Sequence, residues 1–233
     1  MERMECKKLA DYLYPPHCPV CDALSAEGIC GSCEKKLYRI SEPYCMICGR
    51  PLEDARSEIC IGCRRRRHAF VRGRALFSYQ GEICRSLYRM KYANRREYAA
   101  VYGFQMARVL GGWIFSVGID RIVPIPLHPS RRRRRGYNQA ALLARSMGKE
   151  LGLPVEEHLL VRTQRTSPQK NLSAEERRAN LAGAFAVCVS PELGERILLV
   201  DDIFTTGSTA DAAAKCLLAA GCGRVYVAAC AIA

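Results

Sequence analysis

Four Cys-x-x-Cys pairs crowded between residues 18 and 63 constrain this chain more than any other feature: Cys18/Cys21, Cys30/Cys33, Cys45/Cys48 and Cys60/Cys63. They form two successive copies of one unit, a pair, a short spacer and a second pair. One Cys-x-x-Cys turn presents two thiolates to an ion and a second turn closes a tetrahedral shell, so the pattern predicts two structural zinc ions. A region of about 50 residues buries too little apolar surface to stand alone, and metal binding then supplies much of its folding free energy. A thioredoxin-like site uses one dithiol, which leaves four in tandem without a redox role. Cys18, Cys21, Cys30, Cys33 with Cys45, Cys48, Cys60, Cys63 is the local solution for the ligand sets; an exchange of pairs satisfies the same valence. All-cysteine shells leave no open coordination position, so the metal is architectural or presents a surface. His17 and His68 flank the cluster, complete no missing position and are expected to be solvated. Cys6, Cys84, Cys188, Cys216, Cys222 and Cys230 are scattered, and no chemistry is assigned to them.

Charge is the next constraint. The 233 residues carry 36 Lys+Arg against 23 Asp+Glu, a formal charge of +13. Residues 64 to 96 contain 11 of those cations and one acid, Glu82, with Arg64 to Arg67 the densest part. A second run, Arg131 to Arg135, is expected in an edge loop, within an acid-free stretch from Arg121 to Met147. Such runs create a strong local field for anions, and a positive groove follows a nucleic-acid backbone with little sequence preference. Tyr79, Tyr88, Tyr92 and Tyr137 stand nearby as possible stacking residues, with packing as the ordinary role of each. His128 is expected as a solvated turn residue. The charge-free run Val109 to Ile119 falls far short of the roughly 20 residues that cross a bilayer. The start of the chain carries acids and no apolar core, so it does not read as a secretory signal, and a cytoplasmic protein is expected.

After the cysteine-rich segment with its leading helix, expected at 1–67, the rest of the chain, 68–233, alternates strand and helix. Arg74 to Tyr79, Arg121 to Pro126, Arg196 to Val200 and Val225 to Ala229 read as strands. Ile83 to Arg89, Tyr98 to Leu110, Asn138 to Leu151 and Thr209 to Ala220 read as helices, the last closed by Gly221, with Trp113 and Phe115 expected to pack into the core. Strands with little polar alternation, separated by helices, predict an α/β domain around a parallel sheet covered on both faces. The sharpest local signal is Leu198-Leu199-Val200-Asp201-Asp202-Ile203-Phe204-Thr205-Thr206-Gly207-Ser208-Thr209. An apolar strand delivers two carboxylates to a sheet edge, and a hydroxyl- and glycine-containing loop opens a helix whose free amides can hold a phosphate. The acids suit sugar hydroxyls better than a phosphate, with Mg²⁺ as a possible aid. Neither the nucleoside-triphosphate nor the dinucleotide glycine pattern is present.

These residues resemble the phosphoribosyl-pyrophosphate (PRPP) loop of type I phosphoribosyltransferases. The resemblance implies that Asp201 and Asp202 meet the ribose hydroxyls, as catalytic residues if the protein is active, and that Thr205, Thr206, Gly207, Ser208 and Thr209 cradle the 5′-phosphate. Two further motifs extend it: Pro124-Ile125-Pro126-Leu127 followed by Arg135-Gly136-Tyr137-Asn138-Gln139, and Arg162 to Thr166 continuing through Gln169, Leu172, Arg177, Asn180 and Phe185. With the cysteine pairs, the chain is similar to the ComF/ComFC competence family over almost its whole length. That resemblance implies an N-terminal double zinc ribbon joined to a type I phosphoribosyltransferase-like α/β domain. Arg135, Gly136, Tyr137, Asn138 and Gln139 then border the pyrophosphate, and Gln169 and Arg177 lie on a loop that closes over a PRPP–Mg²⁺ ligand. It also implies DNA uptake in natural transformation, with single-stranded DNA as a partner; the basic runs alone fit RNA equally. An Mg²⁺-dependent phosphoribosyltransferase with an unidentified acceptor, or a zinc-dependent adaptor for DNA-uptake proteins, are the competing expectations.

Overall fold

The computed structural model describes residues 16–163 and 183–233. The leading helix expected before residue 16, and Gln169 and Arg177, lie outside them. Two one-turn helices, α1 (Gly31–Glu34) and α2 (Ile61–Arg64), sit in the cysteine-rich region. They are followed by β1 (Arg72–Ser78), α3 (Glu82–Tyr92), α4 (Tyr98–Ser116), β2 (Arg121–Pro124), α5 (Pro129–Arg135) and α6 (Gln139–Leu151). A two-stranded antiparallel ribbon, β3 (Leu160–Arg162) with β4 (Phe185–Val187), precedes β5 (Arg196–Phe204), α7 (Ser208–Ala219) and β6 (Arg224–Ile232). Among the described residues, no helix is long and apolar enough to cross a membrane.

The main sheet has the order β1-β6-β5-β2, every pair parallel. Strand β6 is buried beyond its first residue and β5 from Ile197 to Val200, which is why those stretches lack polar alternation. The expected parallel α/β sheet is therefore present. Helix α4 crosses α6 at very close range: a Cβ on Gly103 would stand 2.5 Å from Ser146 Cβ and 2.7 Å from the Leu143 carbonyl oxygen. Only glycine admits that approach.

Four details differ from expectation. Strand β5 continues past Val200 through the acid pair to Phe204, because β6 goes on pairing with it as far as Ile232. Strand β2 stops at Pro124 rather than Pro126, opposite Val200. The arginine run is helical: Pro129 starts α5 after the His128 cap, Gly136 at φ +79° ends it, and arginines in its last turn face the negative end of the helix dipole. His128 is thus a capping residue, its ring accepting from Ser130 N. Phe115 is 58% exposed on the outer face of α4, whereas Trp113 packs against the core as expected.

The cysteine-rich region shares its interior with the sheet domain. Cys18, Val20, Ile29, Cys33 and Leu37 join the apolar cluster of α3, α4 and one sheet face, while Cys45, Cys48 and Cys63 join the cluster on the other face with Phe70, Phe204 and α7.

Candidate functional site

Both cysteine units use the same local construction. Cys30 and Cys60 take extended backbone at the start of α1 and α2, which brings Cys33 and Cys63 one helical turn later onto the same side. The sulfurs assemble locally, Cys18, Cys21, Cys30 and Cys33 in one group and Cys45, Cys48, Cys60 and Cys63 in the other, all within 4.8 Å of one another in each group. Cys21 Sγ lies 3.8 Å from Cys30 Sγ and Cys48 Sγ 3.7 Å from Cys60 Sγ. Zn–S bonds of about 2.3 Å in a tetrahedron set sulfurs about 3.8 Å apart, so the donor sets fit zinc. Proton affinities agree. Cys48 is held down to about 5, first by its contact with Cys63, while the same contact and burial push Cys63 up. Cys30 falls to about 6, chiefly through Ser32, and burial leads the rise of Cys33 to about 12. Neighbouring thiols oppose one another's ionisation, and a bound cation removes that opposition.

The acid pair occupies the end of β5 beyond the last residue of β2, so the strand that flanks it on one side has already stopped. Asp202 forms a 2.8 Å ion pair with Lys91 of α3. Burial alone would raise its pKa, yet the charge and hydrogen bond of Lys91 hold the carboxyl below the usual range. Asp201, half-buried beside it and accepting from Asp202 N at 2.8 Å, is pushed up to about 8, first by desolvation and then by the Asp202 charge. One carboxyl is thus ionised and the other protonated near neutrality, a pair able to accept from one hydroxyl and donate to another. Lys91 is not legible in the sequence as a site residue, since nothing around it in α3 announces a partner so far along the chain.

Beyond Phe204 the chain turns through Thr205 and Thr206, both exposed, to Gly207 at φ +76°. A Cβ there would stand 2.7 Å from Phe204 Cζ and 2.9 Å from His68 Cε1, so conformation and space both require glycine. Ser208 opens α7, with Thr209 half-buried behind it. Among the described residues, the amides of Thr205, Thr206 and Gly207 donate to no protein acceptor. The loop's carbonyls are occupied: Arg50 Nη2 donates to Thr205 O at 3.0 Å and Arg66 Nη1 to Thr206 O at 3.2 Å.

His68 departs most from expectation. Its side chain is buried rather than solvated, with Nε2 3.5 Å from Cys63 Sγ and Nδ1 2.9 Å from Asp211 Oδ2 on α7.

The Arg135 to Gln139 segment is a tightly bonded turn. Gly136 N donates to Arg132 O, Tyr137 donates to the Met90 carbonyl, and Asn138 caps α6 while its side-chain amide donates to Ile125 O. Gln139 is buried and accepts from Arg135 Nη1 at 3.0 Å. Arg135 also donates to Tyr92 OH and lies over the Tyr92 ring at 5.0 Å. A cavity of about 610 Å³ opens there, lined by Lys91, Tyr92, Arg96, Arg133, Arg134 and Arg135 among others, with no acid among the described residues of its wall. Of the four tyrosines, Tyr137 is buried and Tyr79 half-buried, whereas Tyr88 and Tyr92 are 63% and 52% exposed with ring centroids 4.7 Å apart.

Residues 9–64 match the family model described as a double zinc ribbon domain. The chain is 30% identical to competence protein F of Haemophilus influenzae, over 91% of this chain and 93% of that protein. It is 33% identical to the DNA utilization protein YhgH of Salmonella typhimurium, over 88% and 90%, and 30% identical to competence protein ComFC of Bacillus subtilis, over 84% and 80%. Among solved structures, a glutamine PRPP amidotransferase from B. subtilis has 18% identity and a TM-score of 0.39, covering 56% of this chain and 25% of that one. A purine phosphoribosyltransferase from Pyrococcus horikoshii has 14% identity and a TM-score of 0.36, covering 56% and 72%.

Proposed function

Because the chain belongs to the ComF/ComFC family of competence and DNA-utilization proteins, we propose that it handles single-stranded DNA and holds a PRPP-type ligand at residues 201–209. The supporting observation is that one helix serves both sites. Lys91 of α3 fixes Asp202 at the ribose end of the loop, and Tyr88 and Tyr92 of the same helix stand exposed beside the arginines of α5. A strand bound there has cations for its phosphates and two rings for its bases, the combination that single-strand binders use. In the loop, the free amides at the head of α7 receive the 5′-phosphate, and the split acid pair meets the ribose hydroxyls. Arg135, with Gly136, Tyr137, Asn138 and Gln139 shaping its turn, borders the pyrophosphate, whose charge Mg²⁺ would share. Gln169 and Arg177 are proposed as further contacts of that ligand. The two cysteine groups hold zinc as architecture.

Binding of a labelled oligothymidylate across a salt series tests the DNA reading. Replacing Arg133 and Arg134 by glutamine flattens the slope of log K against log salt by about 0.7 for each phosphate that these arginines neutralise. An unchanged affinity and slope removes α5 from the footprint.

The Asp201–Asp202 pair also favours a second reading, transfer of ribose 5-phosphate from PRPP to an acceptor. The C1–O bond to pyrophosphate breaks as the acceptor attacks C1, and an ionised Asp202 beside Lys91 stabilises positive charge developing on the sugar. Pyrophosphate release in the presence of candidate bases measures it. Turnover that survives Asp202→Asn in a folded protein rejects that assignment.

A further inference from the structure

The loop at residues 205–207 is held from behind by the second cysteine unit. The Thr205 carbonyl accepts from Arg50, two residues after Cys48, and the Thr206 carbonyl accepts from Arg66, three residues after Cys63. Arg66 also reaches Ser208 Oγ at 2.9 Å and Asp211 Oδ2 at 2.6 Å. Asp211, in the first turn of α7 and 6% exposed in its side chain, takes two more contacts from the same exit segment: Ala69 N donates to it at 2.9 Å and His68 Nδ1 lies 2.9 Å away. The other nitrogen of His68 faces Cys63 Sγ. An unbroken chain of contacts therefore runs from a sulfur of the second group through His68 and Asp211 to the helix that opens at the loop.

Peptide geometry turns this support into aim. The peptides after Thr205 and Thr206 are trans, and in a trans peptide the C=O and the following N–H point in opposite directions. Drawing the Thr205 and Thr206 oxygens toward the second unit turns the amides of Thr206 and Gly207 away from it. Those amides have no protein acceptor among the described residues. A loop already fixed in that orientation spares a ligand the cost of ordering it.

We propose that Arg50, Arg66 and His68 are positioning residues that aim the Thr206 and Gly207 amides at an anion, so that filling of the Cys45, Cys48, Cys60, Cys63 group sets the loop's phosphate affinity. Among the described residues, the first unit makes no hydrogen bond to the loop. The phosphate arm of this proposal rests on the sugar-phosphate reading above; the aiming of the amides does not.

The test uses the full zinc-loaded chain, with ribose 5-phosphate as the probe for calorimetric binding and backbone ¹⁵N order parameters measured at Thr206 and Gly207. His68→Ala keeps two zinc ions per chain, because His68 completes neither sulfur group, yet it lowers the order parameters of both amides and weakens the probe about tenfold. His68→Asn retains a hydrogen-bonding group toward Asp211 and restores most of the affinity, which a general loss of packing would not allow. Arg50→Gln, at an exposed contact, lowers the order parameters in the same direction. Cys60→Ser, which removes a ligand of the group behind the loop, weakens the probe as well. Native order parameters and native affinity in both His68→Ala and Arg50→Gln overturn the proposal. A native protein that fails to bind ribose 5-phosphate sinks the sugar-phosphate reading, and the order parameters of the two amides then decide the bracing by themselves.

Discussion

The two cysteine units are near copies in sequence and local backbone, yet they are fastened to different machinery. The first grips helix α3: the Pro19 carbonyl accepts from Ser86 and Arg89, and Asp22 accepts from Tyr98 of α4 at 2.7 Å while pairing with Arg95. Through α3 it holds Lys91, Tyr88 and Tyr92. The second unit grips residues 204–211 through Arg50, Arg66 and His68. A metal knuckle needs only its four sulfurs, so the residues between and after them are free to specialise, and duplication yields two anchors with separate loads. Glycine shows the same specialisation. Gly49 in the second unit has φ +78°, and a Cβ there would meet the Gly73 carbonyl at 2.8 Å, so this unit is pressed directly against β1.

Removing one metal site at a time is the strongest way to break this comparison. A structural zinc contributes on the order of 10 kcal/mol to the folding of an isolated small domain. Cys18→Ser or Cys45→Ser should each lower the zinc content from two ions to one, measured by elemental analysis, with a large loss of thermal stability. Hydrogen exchange should then rise in residues 82–92 for the first variant and in 204–211 for the second. The same elements loosening in both would erase the distinction.

Smaller changes sharpen it. Lys91→Met leaves a largely buried carboxylate without its partner and should cost about 3 kcal/mol in urea denaturation. Asp202→Asn added to it should recover part of that loss, since the pair is then removed together. Gly207→Ala forces a side chain into the left-handed region against Phe204 and His68, and should cost about 1–3 kcal/mol with zinc content unchanged.

The subtlest effect is in pH. Asp201 has its folded pKa raised to about 8, above an unfolded value of about 3.9, so in that window the folded state binds more protons than the unfolded one. Its contribution to stability is therefore full below about pH 4, declines as pH rises toward 8, and levels off above that. Asp201→Asn should flatten this part of a stability–pH curve. A curve identical to native would show that the carboxyl is not desolvated as described.

Periodic and closely spaced features are legible in the chain itself. The cysteine spacing, the buried parallel strands and the strand–acid–loop–helix passage all depend on neighbours within a few residues, and each appears where the sequence puts it. The arginine run reads as a loop only while its charge outweighs its flanks: Pro129 and Gly136 delimit a helix whatever lies between them. His68 defeats a local reading for the opposite reason. The residues just before it are basic and mostly exposed, and its burial comes from Phe70 and from Asp211, which the chain reaches only after most of the sheet has been laid down.

What the sequence determined by itself was therefore chemistry of short range: two four-sulfur donor sets, a parallel α/β sheet, and a hydroxyl- and glycine-containing loop at a helix entrance. The tertiary structure alone decided which thiols group together, which acid is ionised, which tyrosines face outward and which cysteine unit stands behind the loop. Those outcomes depend on Coulomb and hydrogen-bonding partners such as Lys91 with Asp202 and His68 with Asp211. Their separation along the chain carries no local signal, and only packing of the helices and both cysteine units onto one sheet brings them together.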